Sequence, residues 1–309
     1  MIMPQIIKQA FTLIELLVVI AIIGILSGLI VVSMSGVTEK ANIAKSQVFS
    51  NSLRNSLMLD LVSEWKFEEG IGQTVVNSWG GTNNCILGDT TAIADNDPMW
   101  ITSGCVYGNC LSFDGGDYVD CGDSDSLSFG NGLTDNPFTI SVWIKASLAS
   151  GGIVTKSISS STGEYYLLLS GTGIYLRLVD DSANGYIGAY CSYSPYFNNW
   201  THVTATYDGS GLYTGIKIYI NGSLQSVSSA NTGTYVAMEN SLVSLKIGKR
   251  DSYISGLVDD VRIFNANLPT SQIKESYYLG LNKLLNSGGI TKKEYQSRVL
   301  DLNNRYGKR

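Results

Sequence analysis

The chain has 309 residues, of which 44% are apolar and 15% are charged, and its formal net charge is −5. That apolar fraction is large enough for a hydrophobic core, so the composition excludes a disordered or collagen-like chain. A single histidine excludes catalytic sites that need several histidines, and it excludes His-rich zinc sites. Residues 63–264 carry a net charge of −11, which is unfavourable for contacts with phosphates, so no nucleic-acid partner is predicted.

The amino-terminal region contains one long apolar segment, residues 11–32, in which Glu15 is the only charged residue. As a helix of about 33 Å it would span a hydrocarbon core of ~30 Å, so it predicts a transmembrane helix. The segment is longer than the ~7–15-residue apolar region of a secretory signal peptide. A plain membrane anchor is an alternative, but it does not account for Glu15, because a carboxylate inside lipid is costly without a partner.

The sequence at the start of this segment, KQAFTLIELLV at residues 8–18, closely resembles the type IV prepilin signature of bacteria. The resemblance implies a leader of residues 1–10, cleavage between Ala10 and Phe11 by a prepilin peptidase, and N-methylation of Phe11. Glu15 then becomes the fifth residue of the mature chain, which this family uses for assembly with other pilin subunits. Ala10 departs from the family pattern, in which glycine usually precedes the cleavage site.

Helical spacing continues beyond the apolar segment. Two series of apolar residues recur at steps of three or four: Val37, Ala41, Ala44 and Val48, then Phe49, Leu53, Leu57 and Leu61. This spacing is typical of an amphipathic helix. It predicts one helix from Phe11 to about Val62, with a length of about 78 Å. The first half would lie in the membrane and later pack with other subunits, and the second half would carry a globular head.

The sequence pattern changes to period two after Val62. Residues 138–144 and 216–220 alternate apolar and polar side chains, and Asn221-Gly222 follows as a hairpin turn. Other strand candidates lie at residues 65–67, 111–113, 153–156, 165–169, 174–179, 186–191, 203–207, 245–247 and 258–264. About a dozen short strands without interleaved helices predict an antiparallel β-sandwich.

A set of short motifs in this region resembles the laminin-G-like, concanavalin A-like jelly roll over about residues 63–278. The motifs are WKFEEG (65–70), LSFDG (111–115), FTISVW (138–143), WTHV (200–203), TYDG (206–209), ING (220–222) and GLVDDVRIFN (256–265). This fold implies recognition more often than catalysis, and it also occurs as a passive module.

The acidic residues and the histidine of this region do not form a catalytic pattern. Glycosidases of the superfamily place alternating acids on one strand, whereas Glu68-Glu69 and Asp259-Asp260 are adjacent pairs that would point to opposite faces. The sequence contains no nucleophile-elbow motif that could pair with His202 in a catalytic site. His202 is therefore interpreted as a structural residue of its strand. The chain is therefore predicted not to be an enzyme and to require no cofactor.

The jelly-roll resemblance also implies one structural calcium ion where the first and last strands meet. Carried over, its ligands would be Glu69 and Asp260, with carbonyl oxygens from residues 80–84. The alternative is that Asp260 pairs with Arg262, which lies on the same face of its strand.

Five cysteines are present, and four of them, Cys85, Cys105, Cys110 and Cys121, fall within 37 residues. A head that faces outside the cell lies in an oxidising environment, so one or two disulfides are predicted among these four. Four cysteines allow three pairings, and the sequence does not choose between them. The odd cysteine, Cys191, lies on a predicted strand.

Aromatic residues cluster in a loop-rich stretch near residue 190, and Tyr190, Tyr193 and Tyr196 are candidates for stacking on a sugar or contacting a protein. The alternative is that they are ordinary packing residues.

The carboxyl-terminal region returns to helical spacing. Leu268–Lys274 reads as a helix start, and residues 286–289 form a stop. Thr291 and Glu294 then form a capping box that opens a second helix. Residues 281–302 resemble the short helical hairpin known as SHOCT, which implies contacts between subunits.

Together these patterns predict an α+β protein: leader 1–10, helix 11–62 with a membrane span at 11–32, jelly roll 63–278, and helical hairpin with basic tail 279–309. The predicted function is a type IV pilin-like filament subunit whose head recognises a glycan or a surface protein. It would cross the inner membrane once with its head outside before assembly, and lie on the pilus or cell surface afterwards. A type II secretion pseudopilin and a membrane-tethered, lectin-like protein that does not polymerise are the alternatives.

Overall fold

The computed structural model describes residues 13–27, 59–148 and 150–306, and these belong to two separate compact units. In the first unit, residues 13–27 form helix α1, which contains Glu15. Ala10, Phe11 and the predicted helix between residues 28 and 58 lie outside the described residues. Within the described ranges, no helix combines the length and the apolar character that crossing a membrane requires.

Helix α1 has apolar side chains on every side. Its large apolar residues are between 47% and 81% exposed, from Val19 to Leu13. Such a helix is unfavourable in water, because a soluble helix normally has one polar face. The helix therefore needs an apolar environment around its whole circumference.

The second unit is built mainly from strands. Those of the described residues are β1 (Leu61–Trp65), β2 (Thr74–Val75), β3 (Cys85–Leu87), β4 (Met99–Ile101), β5 (Cys110–Asp114), β6 (Val119–Asp120), β7 (Phe138–Ala146), β8 (Ser150–Ser159), β9 (Thr162–Ser170), β10 (Gly173–Asp180), β11 (Gly185–Ser192), β12 (Thr201–Tyr207), β13 (Ile216–Ile220), β14 (Ser223–Leu224), β15 (Ser228–Ser229), β16 (Lys246–Ile247) and β17 (Ser255–Phe264).

These strands form two antiparallel sheets, which confirms the predicted sandwich. The eight-stranded sheet has the order β14-β13-β12-β7-β17-β5-β4, and β1 also pairs with β17. The nine-stranded sheet has the order β15-β11-β10-β9-β8-β16-β6-β3-β2. Non-sequential neighbours such as β7 and β17 place residues that are far apart in the sequence side by side, as in a jelly roll.

Side-chain alternation on the strands fills the space between the sheets. On β7, Ile140, Val142 and Ile144 are buried in the main core, whereas Trp143 belongs to a second cluster on the outer face. This arrangement follows from the period-two pattern, because successive side chains of a strand point to opposite faces. The remaining side chains of each strand therefore lie on the outer faces of the two sheets.

The start of the head differs from the sequence prediction. Leu61 and Val62 were expected to end the long helix, but β1 begins at Leu61 and pairs with the end of β17, with Leu61 opposite Phe264. Leu61 is buried with Phe264 and Ile273. Burial against these residues outweighs the helical spacing that Leu61 shares with preceding residues.

Two carboxyl-terminal helices, α2 (Thr270–Asn286) and α3 (Lys292–Tyr306), cover the outer face of the eight-stranded sheet. The predicted boundary at residue 279 is wrong, since it divides α2. Within this cluster the rings of Tyr277 and Trp143 stack at 5.7 Å. The predicted cap of α3 is confirmed, because the Glu294 backbone N–H donates to Thr291 Oγ1 at 3.1 Å.

Candidate functional site

The outer face of the nine-stranded sheet carries a group of aromatic side chains around one arginine. On β10, Ile174, Leu176 and Leu178 enter the core, so Tyr175 and Arg177 point outward. Tyr166 from β9 and Tyr186 from β11 lie beside them, in a cluster separate from the core. These outward positions form a continuous surface, because β9, β10 and β11 are neighbours in the sheet.

Arg177 is held mainly by aromatic rings. Its guanidinium carbon lies 4.7 Å from the ring centroid of Tyr186, 5.1 Å from that of Tyr175 and 6.0 Å from that of Tyr166. Its Nη1 donates to Tyr166 Oη at 3.4 Å, a long hydrogen bond. No carboxylate of the described residues forms an ion pair with Arg177, and its shielded Nε has no hydrogen-bond partner among them. Arg177 is therefore a cation fixed in position without a neutralising anion.

A second arginine approaches the same surface from the loop between β16 and β17. The guanidinium carbon of Arg250 lies 4.1 Å from the ring centroid of Tyr166. Arg250 also pairs with Asp251, whose side chain is 55% exposed. Two guanidinium groups thus share one tyrosine.

Two glycines of β8 make this approach possible. A Cβ at Gly151 would lie 2.3 Å from the carbonyl carbon of Tyr253, and one at Gly152 would lie 2.7 Å from that of Lys249. Any other residue at these positions would push the loop away, since real Cβ contacts are never that short. Gly151 in addition has φ +122°, a conformation that favours glycine.

Between the two arginines lies a cleft of about 210 Å³. Its charged lining residues are Arg177, Arg250 and Asp251, and Ser150, Ser170 and Ser252 add hydroxyl groups. A cleft with two guanidinium groups, hydroxyls and nearby tyrosine rings can hold a small polar ligand by charge-assisted hydrogen bonds and ring contacts.

The predicted ligand-binding tyrosines occupy different places. Tyr190 lies on the same outer surface, and its ring stacks on Tyr175 at 4.9 Å. Tyr193 is wholly buried in the core, so the prediction that it offers a ring to a ligand is wrong. Tyr196 packs against that core and contacts Tyr193 at 5.6 Å between ring centroids.

The residues predicted to bind calcium do not fit that ion. Asp260 Oδ1 lies 3.0 Å from Arg262 Nη2, and Glu69 Oε1 accepts a hydrogen bond from the Val76 backbone N–H at 2.9 Å. Among the residues that the structure describes, no group of three or more acidic, histidine or cysteine side chains is arranged to hold a metal. The guanidinium of Arg262 is thus the cation that pairs with Asp260.

The neighbouring carboxylate, Asp259, has a structural task instead. Its Oδ2 accepts hydrogen bonds from the backbone N–H groups of Val106 and Tyr107, at 2.9 and 3.0 Å. Burial raises the pKa of Asp259 well above its usual range, and burial also raises that of Asp260, to about 6. Asp259 thus holds the loop between Cys105 and Cys110 against β17.

Two disulfides are present, as predicted. Cys85 is bonded to Cys121, and Cys105 to Cys110. The first joins neighbouring segments of the nine-stranded sheet, and the second closes the loop that Asp259 holds. Cys191 is a free, buried thiol, and burial raises its pKa to about 12.

His202 is buried under α2, consistent with a structural role. Its Nε2 lies 2.8 Å from Ser141 Oγ, and its ring lies 5.1 Å from that of Trp143 and 6.1 Å from that of Tyr277. Burial, with a smaller effect of Arg262, lowers its pKa to about 3. The imidazole is therefore neutral at physiological pH.

Sequence reasoning missed Arg177 and Arg250 as candidate binding residues. The available signal was the alternation on β10, in which an arginine stands two residues after Tyr175 at an outward position. No local sequence signal indicates that Arg250 lies near this site, because its position depends on the pairing of β8 with β16.

Comparisons with known proteins agree with this architecture. The profile of the concanavalin A-like lectin/glucanases superfamily matches residues 113–274, just over half of the chain. The profile of the prokaryotic N-terminal methylation motif matches residues 7–31. No curated protein sequence gives a significant match.

Solved structures similar to this chain include binding domains of clostridial toxins. The botulinum neurotoxin serotype G binding domain aligns with a TM-score of 0.53 and 16% identity over 72% of this chain and 51% of that one. The botulinum neurotoxin serotype D binding domain aligns with a TM-score of 0.52 and 18% identity, over 74% of this chain and 53% of that one. The binding domain of Paraclostridial mosquitocidal protein 1 aligns with a TM-score of 0.53 and 16% identity, over 73% of this chain and 53% of that one.

The chain thus spans about half the length of these structures, and identities this low establish the fold alone. The jelly-roll prediction is confirmed. A pilin-type methylation motif thus precedes a lectin-type jelly roll in this chain. By its larger domain, the chain belongs to the concanavalin A-like lectin/glucanase superfamily.

Proposed function

We propose that this protein is a subunit of a type IV pilin-like surface filament and that its head attaches the filament to a ligand. The observation that carries the proposal is helix α1, which is exposed and apolar on all sides and begins within the methylation motif. Lipid supplies the required environment before assembly, and the helices of other subunits supply it afterwards.

Glu15 gives this helix a polar group near its amino terminus. Cleavage between Ala10 and Phe11 would create a free amine on Phe11, four residues before Glu15. That amine, in an adjacent subunit, would neutralise Glu15 in the apolar filament interior, where a charge is tolerated when it is paired. The pair would then set the register of one subunit against the next.

The head has one sheet face left for recognition. Helices α2 and α3 cover the outer face of the eight-stranded sheet, whereas the outer face of the nine-stranded sheet carries the cleft beside Arg177. Concave sites with a few well-placed polar groups are the usual places for small ligands. A glycan or a surface protein that presents such a group is the expected partner.

The proposal assigns a location to each part of the chain before and after filament assembly. Residues 1–10 would be the leader, residues 11–32 the single inner-membrane span, and the head would face outside. The prepilin peptidase and the pilus assembly machinery would then move the subunit into a filament on the cell surface.

The test is to shear filaments from the cell surface and identify this chain in them by mass spectrometry and antibody labelling. Glu15→Gln keeps the shape of the side chain but removes its charge, so we expect at least about tenfold fewer filaments. Ser27→Ala, a polar change in the same helix, is the matched control and should assemble normally.

Wild-type filament yield in Glu15→Gln would contradict the pairing. A chain that stays in the membrane would instead identify a tethered lectin-like protein, and one confined to a short periplasmic filament would identify a pseudopilin.

A further inference from the structure

We propose that the cleft between Arg177 and Arg250 binds an acidic sugar, meaning a glycan unit that carries a carboxylate or a sulfate group. This inference rests on the proposed function, because it names the ligand class of the head.

The first argument is charge. The cleft has two arginines and one aspartate, Asp251, and so carries a net positive charge in a region, residues 63–264, whose net charge is −11. Arg177 has three tyrosine rings around it and no ion pair within the described residues. A partly buried guanidinium without an anion is unfavourable. An oxyanion in the cleft would remove this cost, because the guanidinium fork suits planar and tetrahedral oxyanions.

The second argument is size and lining. The cleft volume of about 210 Å³ is below the ~300–1,000 Å³ of sites for drug-sized ligands. It therefore suits one sugar ring better than a peptide segment. Ser150, Ser170 and Ser252 offer hydroxyl groups for the hydroxyls of a sugar. The rings of Tyr175 and Tyr190, stacked at 4.9 Å, lie on the same outer surface and can contact the next unit of a chain.

Asp251 makes the proposal sharper, because it acts in the opposite direction to the arginines. Its carboxylate pairs with Arg250 and is 55% exposed, so it competes with an anionic ligand for that guanidinium. Removing its charge should strengthen the binding of an acidic sugar and should have little effect on a neutral one.

The experiment uses the full chain in detergent on a glycan array with three sets of probes: neutral glycans, carboxylated glycans and sulfated glycans. Arg177→Gln and Arg250→Gln should each weaken binding to the acidic probes by about tenfold or more, whereas Asp251→Asn should strengthen it about threefold. Lys217→Gln, an exposed charge change on β13 of the other sheet, is the control and should leave binding unchanged. Thermal unfolding of each variant reports whether it is folded.

The carboxylated and sulfated sets identify which oxyanion the cleft prefers. Binding to neutral glycans alone, or acidic-glycan binding that Arg250→Gln and Asp251→Asn leave unchanged, overturns this inference but leaves a binding head intact. Absence of binding to every acidic probe by the folded wild-type chain also overturns it. Failure of the filament proposal is a separate result, since it is measured by the presence of the chain in sheared filaments.

Discussion

Gly188 lies directly opposite Arg177 in the register of β10 and β11. A Cβ at position 188 would come 2.6 Å from Arg177 Cγ, which is closer than side-chain atoms pack. The glycine therefore leaves the space in which the arginine side chain crosses the neighbouring strand. This relationship couples a backbone feature of the sheet to the position of the guanidinium in the cleft.

The first prediction concerns this space. Gly188→Ala should displace Arg177 and weaken acidic-glycan binding by about tenfold. It should also cost about 1–3 kcal/mol of unfolding free energy through overpacking. Gly116→Ala, where a Cβ meets only Asp114 Oδ1 at 3.4 Å, is the control. Array binding and denaturant unfolding give both quantities. Unchanged glycan binding in Gly188→Ala would contradict the coupling of Gly188 to the position of the Arg177 guanidinium.

The second prediction concerns the docking of α2. In a solvent-exposed helix, replacing a glycine such as Gly280 by alanine would stabilise the helix by about 1 kcal/mol. Here a Cβ would lie 2.5 Å from Nε1 of the Trp143 indole, so Gly280→Ala should instead destabilise the head by about 1–3 kcal/mol. The exposed helix position Lys283 offers the control, and Lys283→Ala should stay within about 0.5 kcal/mol. Greater stability of Gly280→Ala in urea would contradict the packing described for α2.

The third prediction ranks the two disulfides. Cys85–Cys121 spans 36 residues and Cys105–Cys110 spans 5. The chain-entropy relation gives losses of about 4 and about 2 kcal/mol when the bonds are removed. The double variants Cys85→Ala/Cys121→Ala and Cys105→Ala/Cys110→Ala should therefore differ in melting temperature, with the first pair lower. The reverse order would mean that the contact of Asp259 with Val106 and Tyr107 depends on the shorter bridge.

The fourth prediction uses the single histidine. The pKa of His202 is lowered to about 3 by burial and, less strongly, by Arg262. The folded state thus binds this proton less readily than the unfolded state, so the contribution of His202 to stability is complete above pH ~6.5 and is lost as the pH falls towards 3. The ring proton resonance of this only histidine should show no titration between pH 7.5 and 4.5 in NMR spectra. A midpoint near pH 6.5 would mean that α2 does not cover the ring.

Local sequence patterns were sufficient to predict part of this structure. The motif at residues 8–18 is contiguous, and its match to the methylation profile follows from neighbouring residues alone. The strands were recognisable because apolar and polar residues alternate along them, as in residues 138–144. Thr291 was recognisable as a cap because its contact with Glu294 is local.

Features that depend on distant pairing were missed or misjudged. Leu61 continues a helical pattern, but pairing with Phe264 across 203 positions places it in a strand. Tyr193 lies in a stretch with serine and asparagine, which is typical of an exposed loop. Its side chain is nevertheless buried in the core. The site around Arg177 depends on three neighbouring strands and one loop, so no contiguous motif contains it.

The central claim is that this chain enters a filament through a processed amino terminus. Mass spectrometry of the intact chain from purified surface filaments tests it most directly. The account predicts a mature protein that begins at Phe11, carries one methyl group on its amino nitrogen and contains both disulfides. A chain in those filaments that still begins at Met1, or begins at any other residue, would contradict it.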